Sequence, residues 1–433
     1  MEVNYKNKKY YNTDKLPIRQ PLIMTHLLAL VSKIAMPRVP YKIEKFGMEG
    51  LKPPYVLLSN HMYFVDFQLS AMATWPHRVN NIATIDGYYR RPWLMELLGC
   101  IFKRKFTTDL HLIKSIKHVL EKGDILCMYP EARYSPVGTT AILPDALGKM
   151  IKMFKVPVVV MLHHGNYLHT PFWNYRKKRK APLYTTMTKV LSAEDVAEKS
   201  AEEINQIVRG AMTDDDYKWQ VEQNIQITEP YRAEGLHKVL YQCPACGKEH
   251  EMASEGIKLF CKHCGKTWTM DELGRLSAES GETQFPHIPD WYEWQRAQVR
   301  QEIEAGKYSF EDEVEVYSLP RCMRFQNLGK AKLTHDPESG FVLEGHYNGE
   351  DYRIHREPAG MYGVHIEYDY CYVKPYDCID ISTKNDSFYC YPTKENVVTK
   401  LSLATEEIYK LQAERHARER EERRAARKAK KND

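Results

Sequence analysis

The stretch Ser59-Asn60-His61-Met62-Tyr63-Phe64-Val65-Asp66 places an imidazole and a carboxylate five positions apart, directly after the apolar residues 55–58. The apolar run predicts a short buried strand. Five residues of a regular helix turn through about 500°, so the two side chains would not share one helix face. We therefore expect His61 in the loop after the strand and Asp66 on the following helix. A carboxylate that accepts the second ring proton fixes the histidine tautomer, and such a pair can deprotonate a hydroxyl group.

Three further segments follow at spacings of tens of residues, and they turn a pair that could be coincidental into an ordered pattern. They are Gly99-Cys100-Ile101-Phe102-Lys103-Arg104, Tyr129-Pro130-Glu131-Ala132-Arg133-Tyr134-Ser135 and Val156-Pro157-Val158-Val159-Val160. With Asn60-His61 and Asp66 they resemble, in order, the four blocks of the glycerolipid acyltransferases, the family that includes the 1-acylglycerol-3-phosphate O-acyltransferases. The resemblance covers residues 20–225.

This resemblance implies a chemistry. His61 would be the general base and Asp66 would orient it, while an acyl group passes from an acyl thioester, of coenzyme A or acyl-carrier protein, to a hydroxyl of 1-acylglycerol-3-phosphate or a related lysophospholipid. Asn60 and Glu131 would belong to the substrate site. An arginine fork suits a phosphate, which makes Arg133 a candidate for the acceptor phosphate.

The second block leaves its phosphate-binding residue open. Counted strictly from Gly99, the basic position falls on Lys105, with Arg104 and Lys103 just before it. A strand would point Lys103 and Lys105 one way and Arg104 the other. The third block also departs from the family pattern, because Arg133 follows Glu131 by two positions where the family usually has three.

The amino-acid composition favours some classes of protein and argues against others. The 433 residues are 43% hydrophobic and 27% charged, as in globular proteins with several domains. The net charge of +5 is concentrated in the tail from residue 410 onward, which holds ten basic and five acidic residues. A nearly neutral remainder argues against a nucleic-acid-binding protein. Ten cysteines without a signal peptide predict a cytoplasmic protein, here peripheral on the inner face of the membrane.

Strand-like and helical patterns alternate between residues 50 and 165, which predicts an α/β domain with a largely parallel sheet. The resemblance implies that this is an acyltransferase domain, with N-terminal helices, over residues 1–230. Its active residues would lie in loops that follow strand ends. The apolar segment 21–36 carries His26 and Lys33 and is not a convincing membrane span. It is either an interfacial helix among lipid headgroups or an ordinary core helix.

A separate motif predicts a small zinc ribbon at residues 238–270. Two Cys-x2-Cys knuckles, separated by fourteen residues, supply four thiolates. Four cysteines leave no open coordination position, so the zinc would be structural; rubredoxin-like iron is the alternative. The metal ligands are Cys243, Cys246, Cys261 and Cys264. The remaining cysteines are predicted to be buried thiols, namely those at 100, 127, 322, 371, 378 and 390.

The last third of the chain has a different sequence pattern. A linking helix is expected at residues 286–306, followed over residues 312–433 by short strands and one long basic helix. The hairpin signal is Tyr347-Asn348-Gly349-Glu350. This order resembles a pleckstrin-homology-type barrel capped by a helix, and it would bind a lipid headgroup, a peptide or its own catalytic domain.

The function expected is therefore a membrane-associated O-acyltransferase. Two alternatives stay open: a catalytically inactive acyltransferase-like membrane scaffold, and an acyltransferase with a different hydroxyl acceptor.

Overall fold

The first sheet has seven strands. The computed structural model describes residues 3–5, 10–107, 109–370 and 372–432, with side chains up to residue 423. The strands are β1 (Tyr41–Phe46), β2 (Val56–Ser59), β3 (Val79–Thr84), β4 (Ile101–Lys103), β5 (Ile125–Met128), β6 (Val158–His164) and β7 (Leu183–Leu191). They lie in the order β1-β7-β6-β2-β5-β3-β4, parallel except for the β6–β7 pair. This arrangement confirms the predicted α/β sheet.

Helices connect these strands. They are α1 (Leu22–Ile34), α2 (Val65–Thr74), α3 (Ile85–Tyr88), α4 (Pro92–Leu97), α5 (Leu110–Glu121), α6 (Leu147–Phe154), α7 (Asn166–His169), α8 (Ala193–Glu198), α9 (Ala201–Met212) and α10 (Asp216–Glu222). The sequence predicted several N-terminal helices, but between residues 10 and 40 the structure has only α1. The residues before it are extended and include Pro17 and Pro21, which do not continue a helix.

The centre of the sheet positions the site. β2 lies between β5 and β6, and all three run parallel. Their carboxyl ends therefore meet at one edge, where the loops 60–64 and 129–146 and the single residue Gly165 leave the sheet. The expectation that His61 lies in a loop and Asp66 on a helix is confirmed, because β2 ends at Ser59 and α2 begins at Val65.

α1 is packed with its apolar face outward. Its fully buried residues are the polar Thr25 and Ser32, whereas Ile23 and Ile34 are 71% and 75% exposed. We call the outward side the α1 apolar face; it consists of Ile23, Leu27, Leu30, Val31 and Ile34. On the opposite side, Met24 and Leu28 are partly buried against the core. α1 therefore combines core packing with an exposed apolar face, which an ordinary core helix would not have. Among the described residues no helix is both long and apolar enough to cross a bilayer.

The ribbon region is a small antiparallel sheet. Its strands are β8 (Met252–Glu255), β9 (Lys258–Cys261), β10 (Thr267–Met270) and β11 (Leu276–Ala278). They pair in sequence order, and the second cysteine knuckle lies in the turn between β9 and β10. The helix α11 (Ile288–Glu304) follows, within the predicted 286–306.

The C-terminal strands form one open sheet. They are β12 (Phe310–Ser318), β13 (Gln326–Asp336), β14 (Gly340–Tyr347), β15 (Glu350–Arg356), β16 (His365–Glu367), β17 (Cys378–Ser382) and β18 (Ser387–Pro392). Their order is β15-β14-β13-β12-β18-β17-β16. The β14–β15 turn has positive φ at Asn348 and Gly349, as the predicted hairpin requires.

The predicted closed barrel is wrong. Within the described residues the edge strands β15 and β16 do not pair, because the segment between them turns at Pro358–Gly360 and packs on the long helix α12 (Val398–Asn432). The sheet nonetheless shares a core with the first domain. One cluster of buried side chains runs from Met62 and Tyr167 through Trp268 to Val314 and Leu401. The first sheet with its helices, the ribbon region and the C-terminal sheet thus share one hydrophobic core.

Of the cysteines outside the ribbon, those at 100, 127, 322, 378 and 390 are buried and unpaired, as predicted. Cys371 lies outside the described residues.

Candidate active site

His61 and Asp66 form the pair that the sequence predicted. His61 Nδ1 lies 3.1 Å from Asp66 Oδ2. The loop from residue 60 to 64 makes this possible, because it turns back so that α2 presents Asp66 to the ring. The His61 side chain is 22% exposed, while Asp66 is fully buried. With Nδ1 directed at the carboxylate, Nε2 is the ring nitrogen left to take a proton.

Asp66 is fixed by hydrogen bonds from three sides. The backbone amides of Met62 and Tyr63 donate to Oδ2 at 2.6 and 3.0 Å, and Asn166 Nδ2 donates to Oδ1 at 2.6 Å. Burial alone would raise the pKa of Asp66, but its contacts with His61, His163 and Asn166 hold the pKa below its usual value. The carboxylate is therefore ionised and cannot rotate away from the imidazole.

Glu131 accepts a hydrogen bond from the loop that carries His61. Its Oε1 accepts from the His61 amide at 3.3 Å and its Oε2 accepts from the Ala141 amide at 2.8 Å. Burial raises the pKa of Glu131 to about 7, against the lowering effect of these amides. The structure thus brings Glu131 to the pair, where it holds the loop and not a ring nitrogen.

Asn60 joins the loop to β6. Its amide nitrogen donates to the His163 carbonyl at 3.2 Å and to Asp214 Oδ2 at 3.1 Å, and its Oδ1 accepts from the His163 amide at 2.9 Å. Both ends of the amide are engaged by protein groups. Asn60 therefore sets the position of the neighbouring His61.

An aromatic wall surrounds His61, and sequence reasoning missed it. The His61 ring stacks on Tyr129 at 4.0 Å between centroids and lies 4.3 Å from Tyr134. Tyr134 continues to Tyr63 at 5.7 Å and to Phe172 at 5.4 Å. A signal for Tyr134 was present, because it stands three positions after Glu131, where the family usually has its arginine.

Arg133 is bound by the C-terminal helix α12. Its guanidinium pairs with Glu406 on α12 and donates to Ser402 Oγ at 2.9 Å. The side chains of Arg133 and Glu406 are 5% and 1% exposed, so the pair is buried. The structure does not bring this predicted phosphate ligand to the pair as a free cation.

The basic residues of the second block are also engaged by the C-terminal sheet. Lys105 Nζ lies 3.0 Å from Asp86 Oδ2 and 3.2 Å from Asp380 Oδ2. Burial would lower the pKa of Lys105, but these two carboxylates raise it above its usual value. Arg104 donates to the Asn385 carbonyl at 2.8 Å and to Ser387 Oγ at 3.2 Å.

The four ribbon thiols form a candidate metal centre. Their sulfur atoms all lie within 4.8 Å of one another, with Cys243 to Cys264 at 3.7 Å and Cys246 to Cys261 at 3.9 Å. A tetrahedral zinc with Zn–S bonds of 2.3 Å would place its sulfur ligands about 3.8 Å apart. Gly247 and Gly265 have positive φ and donate amides to Cys243 and Cys261, which closes each knuckle. The four cysteines could hold one structural metal ion.

A second convergence, of His164, Asp214 and Asp216, lies behind Asn60. Both carboxylate oxygens of Asp216 already accept from the Gly165 amide, at 2.9 and 3.1 Å. His164 Nδ1 is 3.0 Å from Asp214, and although burial would lower the pKa of His164, the two aspartates raise it. When its ring is protonated, His164 forms an ion pair with Asp214 in this cluster.

Comparison with known proteins agrees with the geometry. The family model named Acyltransferase matches residues 39–164, which include the His61–Asp66 pair and Glu131. None of the curated proteins matches the chain. A solved structure that resembles it is that of the 1-acyl-sn-glycerophosphate (LPA) acyltransferase PlsC from Thermotoga maritima, at 16% identity, a TM-score of 0.35 and coverage of 43% of this chain and 78% of that chain. That TM-score is too low to carry an argument. The family match supports an acyltransferase domain over residues 39–164.

Proposed function

We propose that this protein is a membrane-associated O-acyltransferase that moves a fatty acyl group from an acyl thioester to a hydroxyl group of a glycerolipid acceptor, with His61 as general base. The observation that carries the proposal is the 3.1 Å contact between His61 Nδ1 and the buried Asp66 carboxylate, within the matched acyltransferase span. The acceptor class includes 1-acylglycerol-3-phosphate and related lysophospholipids, and other lipid hydroxyls. The donor is acyl-CoA or acyl-carrier protein.

The chemistry follows from this geometry. His61 Nε2 takes the proton of the acceptor hydroxyl as its oxygen bonds to the thioester carbonyl carbon. Asp66 stabilises the imidazolium and keeps Nδ1 protonated. The carbon–sulfur bond then breaks, and the departing thiolate takes the proton back from His61. A thiolate is a good leaving group, so positioning of the two substrates supplies most of the remaining catalysis.

Membrane association rests on the α1 apolar face. Its five large apolar residues follow helical spacing, with exposed Lys33 and Arg38 at the same end of the helix. Such a helix lies in the headgroup region with its apolar side among acyl chains. α1 packs on α2, and Phe64, which caps the start of α2 in the loop that carries His61, is 58% exposed. The chain would bind the inner face of the membrane from the cytoplasm.

A flotation assay with anionic phospholipid vesicles tests this surface. The double variant Ile23→Ser, Ile34→Ser is expected to weaken vesicle binding at least about tenfold, because each side chain would lose its burial in the acyl region. Leu110→Ser is the matched control, since Leu110 is 80% exposed on α5, outside the α1 apolar face. Equal binding by wild type, the double variant and the control would contradict a role for α1.

The remaining regions receive structural roles in this proposal. The four cysteines bind structural zinc, supported by the fit of their sulfur spacings to a tetrahedral ion. The C-terminal sheet and α12 resemble a pleckstrin-homology arrangement in element order. The ion pair of Arg133 with Glu406 favours the catalytic domain itself as their binding partner.

The experiment that tests the function is release of thiol from an acyl thioester, with and without a glycerolipid acceptor. Wild type is expected to show acceptor-dependent release that His61→Ala removes. His77→Ala is the matched control, because His77 is exposed in the loop before β3. If folded, metal-loaded wild type releases no thiol with either donor and several acceptors, the inactive-scaffold alternative takes its place.

A further inference from the structure

Two of the cations expected to bind an acceptor phosphate, Arg133 and Lys105, are already paired with carboxylates inside the protein. Another candidate of the second block, Lys103, donates to Thr107 Oγ1 at 3.1 Å. Arg133 is paired with Glu406, and Lys105 lies between Asp86 and Asp380. Arg104 donates to residues 385 and 387 of the C-terminal sheet. Arg133, Lys105 and Arg104 are all buried. A phosphate would have to displace carboxylates that are themselves covered by protein.

This arrangement is not a lid that swings aside. The buried cluster that contains Met62 and Tyr167 also contains Val314 and Leu401, so one hydrophobic core continues across the interface. Separating Arg133 from Glu406 would open that core and leave a buried charge without its partner, which is strongly unfavourable. The carboxylates are therefore permanent counter-charges and not temporary stand-ins for a substrate.

The side chain that lies beside His61 is an aromatic ring and not a cation. Tyr134 packs 4.3 Å from His61 and continues to Tyr63 and Phe172. Phe172 in turn lies 6.4 Å from His365, which binds Glu367 at 2.8 Å. The approach to His61 is thus lined by aromatic faces and backed by acidic groups.

Tyr134 is partly buried, with acidic groups nearby. Burial, then the charges of Glu367 and Asp66, raise the pKa of the Tyr134 hydroxyl well above its usual value. Burial disfavours a charged group here, whether a phenolate or a phosphate, because a charge loses its hydration. Aromatic faces, by contrast, suit the apolar face of a glycerol backbone or of a sugar ring.

We infer that the acyl acceptor is an uncharged hydroxyl lipid, a monoacylglycerol or glycosylated glycerolipid, whose head packs against the aromatic wall of Tyr63, Tyr134 and Phe172 instead of being held by a phosphate. The inference rests on the proposed acyltransferase function and narrows its acceptor. Tyr134 is then the residue that selects the uncharged head, because its ring lies 4.3 Å from His61 and it stands three positions after Glu131, where the family that the motif resembles usually has an arginine.

Two acceptors with the same acyl chain, 1-acylglycerol and 1-acylglycerol-3-phosphate, test this on the full chain with acyl-CoA and acyl-carrier-protein donors. The expected result is a kcat/KM at least about tenfold higher for 1-acylglycerol, the scale on which a site rejects a group it cannot pair. Tyr134→Arg should lower that ratio at least about tenfold by adding a cation at this place. Tyr134→Phe keeps the ring and should keep the ratio.

The results that would overturn the inference differ from those that would refute the proposed function. A ratio near one, or a preference for 1-acylglycerol-3-phosphate, overturns the inference while leaving the acyltransferase function intact. Absence of thiol release with both acceptors, and no effect of His61→Ala, refutes the proposed function and the inference with it. Circular dichroism and metal content establish that Tyr134→Arg is folded; if it is not, the wild-type ratio alone decides.

Discussion

Arg133, two residues after Glu131, forms a buried ion pair with Glu406 on the C-terminal helix α12. Glu406 also binds Arg296 of α11, so one carboxylate joins three parts of the chain. Arg133 therefore has a structural role, because its charge helps to hold the C-terminal helix on the domain that carries His61.

The first prediction follows from this pair. Arg133→Met should lower the stability of the protein by about 3–5 kcal/mol, because it leaves Glu406 with one cation fewer in a buried place. The double variant Arg133→Met, Glu406→Met should recover part of that loss, since it removes both charges. Midpoints of urea unfolding measure the effect. An unchanged midpoint with a raised KM for a phosphate-bearing acceptor would instead make Arg133 a substrate ligand.

Glu131 gives the protein a pH-dependent stability. Its pKa is about 7 in the folded chain, above the 4.5 of a free glutamate, so between these values the folded state binds the proton more tightly. Stability should therefore fall as pH rises from about 5 to 7 and level off above that, by up to about 3 kcal/mol. Glu131→Gln removes this titration and keeps an oxygen for the His61 amide.

The comparison of wild type with Glu131→Gln across this pH range measures that contribution. The difference in unfolding midpoint should grow in favour of the glutamine variant as pH rises. Parallel curves for the two proteins would show that Glu131 does not titrate in this range.

The support of Asp66 by Asn166 gives a graded prediction for catalysis. Asp66→Asn should lower kcat by about 10²–10⁴-fold, because it removes the carboxylate that stabilises the imidazolium. Asn166→Ala should lower kcat by about tenfold, since one charge-assisted hydrogen bond of about 1.5 kcal/mol is lost while Asp66 stays. Steady-state thiol release measures both. Equal losses in the two variants would mean that Asn166 acts by more than positioning Asp66.

Removal of the metal should lower the stability of the protein, because its expected role is structural and not catalytic. Wild type is expected to contain one zinc per chain, and Cys246→Ser should lose it together with the fold of the ribbon, because the metal supplies the folding energy of such modules. Cys100→Ala is the control, as Cys100 is buried far from the four ligands in sequence. Elemental analysis and thermal unfolding are the measurements. A zinc-free but fully stable Cys246→Ser protein would contradict a structural role.

Local sequence patterns predicted the elements that local physics decides. The apolar run before Ser59 is a buried strand, His61 falls in the loop after it, and the Asn348-Gly349 dipeptide forms the hairpin turn. The spacing of the cysteine knuckles likewise brought four thiols together. In each case the residues that decide the geometry are neighbours in the chain or share one motif.

Sequence could not supply partners that come from distant segments. Nothing near Arg133 or Lys105 in the chain indicates that Glu406 and Asp380 neutralise them. The outward apolar face of α1 was one of two alternatives, because an amphipathic pattern does not say which side meets the core. The closed barrel failed for the same reason: edge pairing depends on how the residues between β15 and β16 pack on α12.

The most direct test of the account is acceptor-dependent thiol release by wild type and by His61→Ala, with His77→Ala as the control. Wild type and the control are expected to release thiol when a hydroxyl lipid is present. His61→Ala is expected to lose this release by about 10²-fold or more while keeping its zinc and its fold. Undiminished release by His61→Ala would contradict the assignment of His61 as the general base.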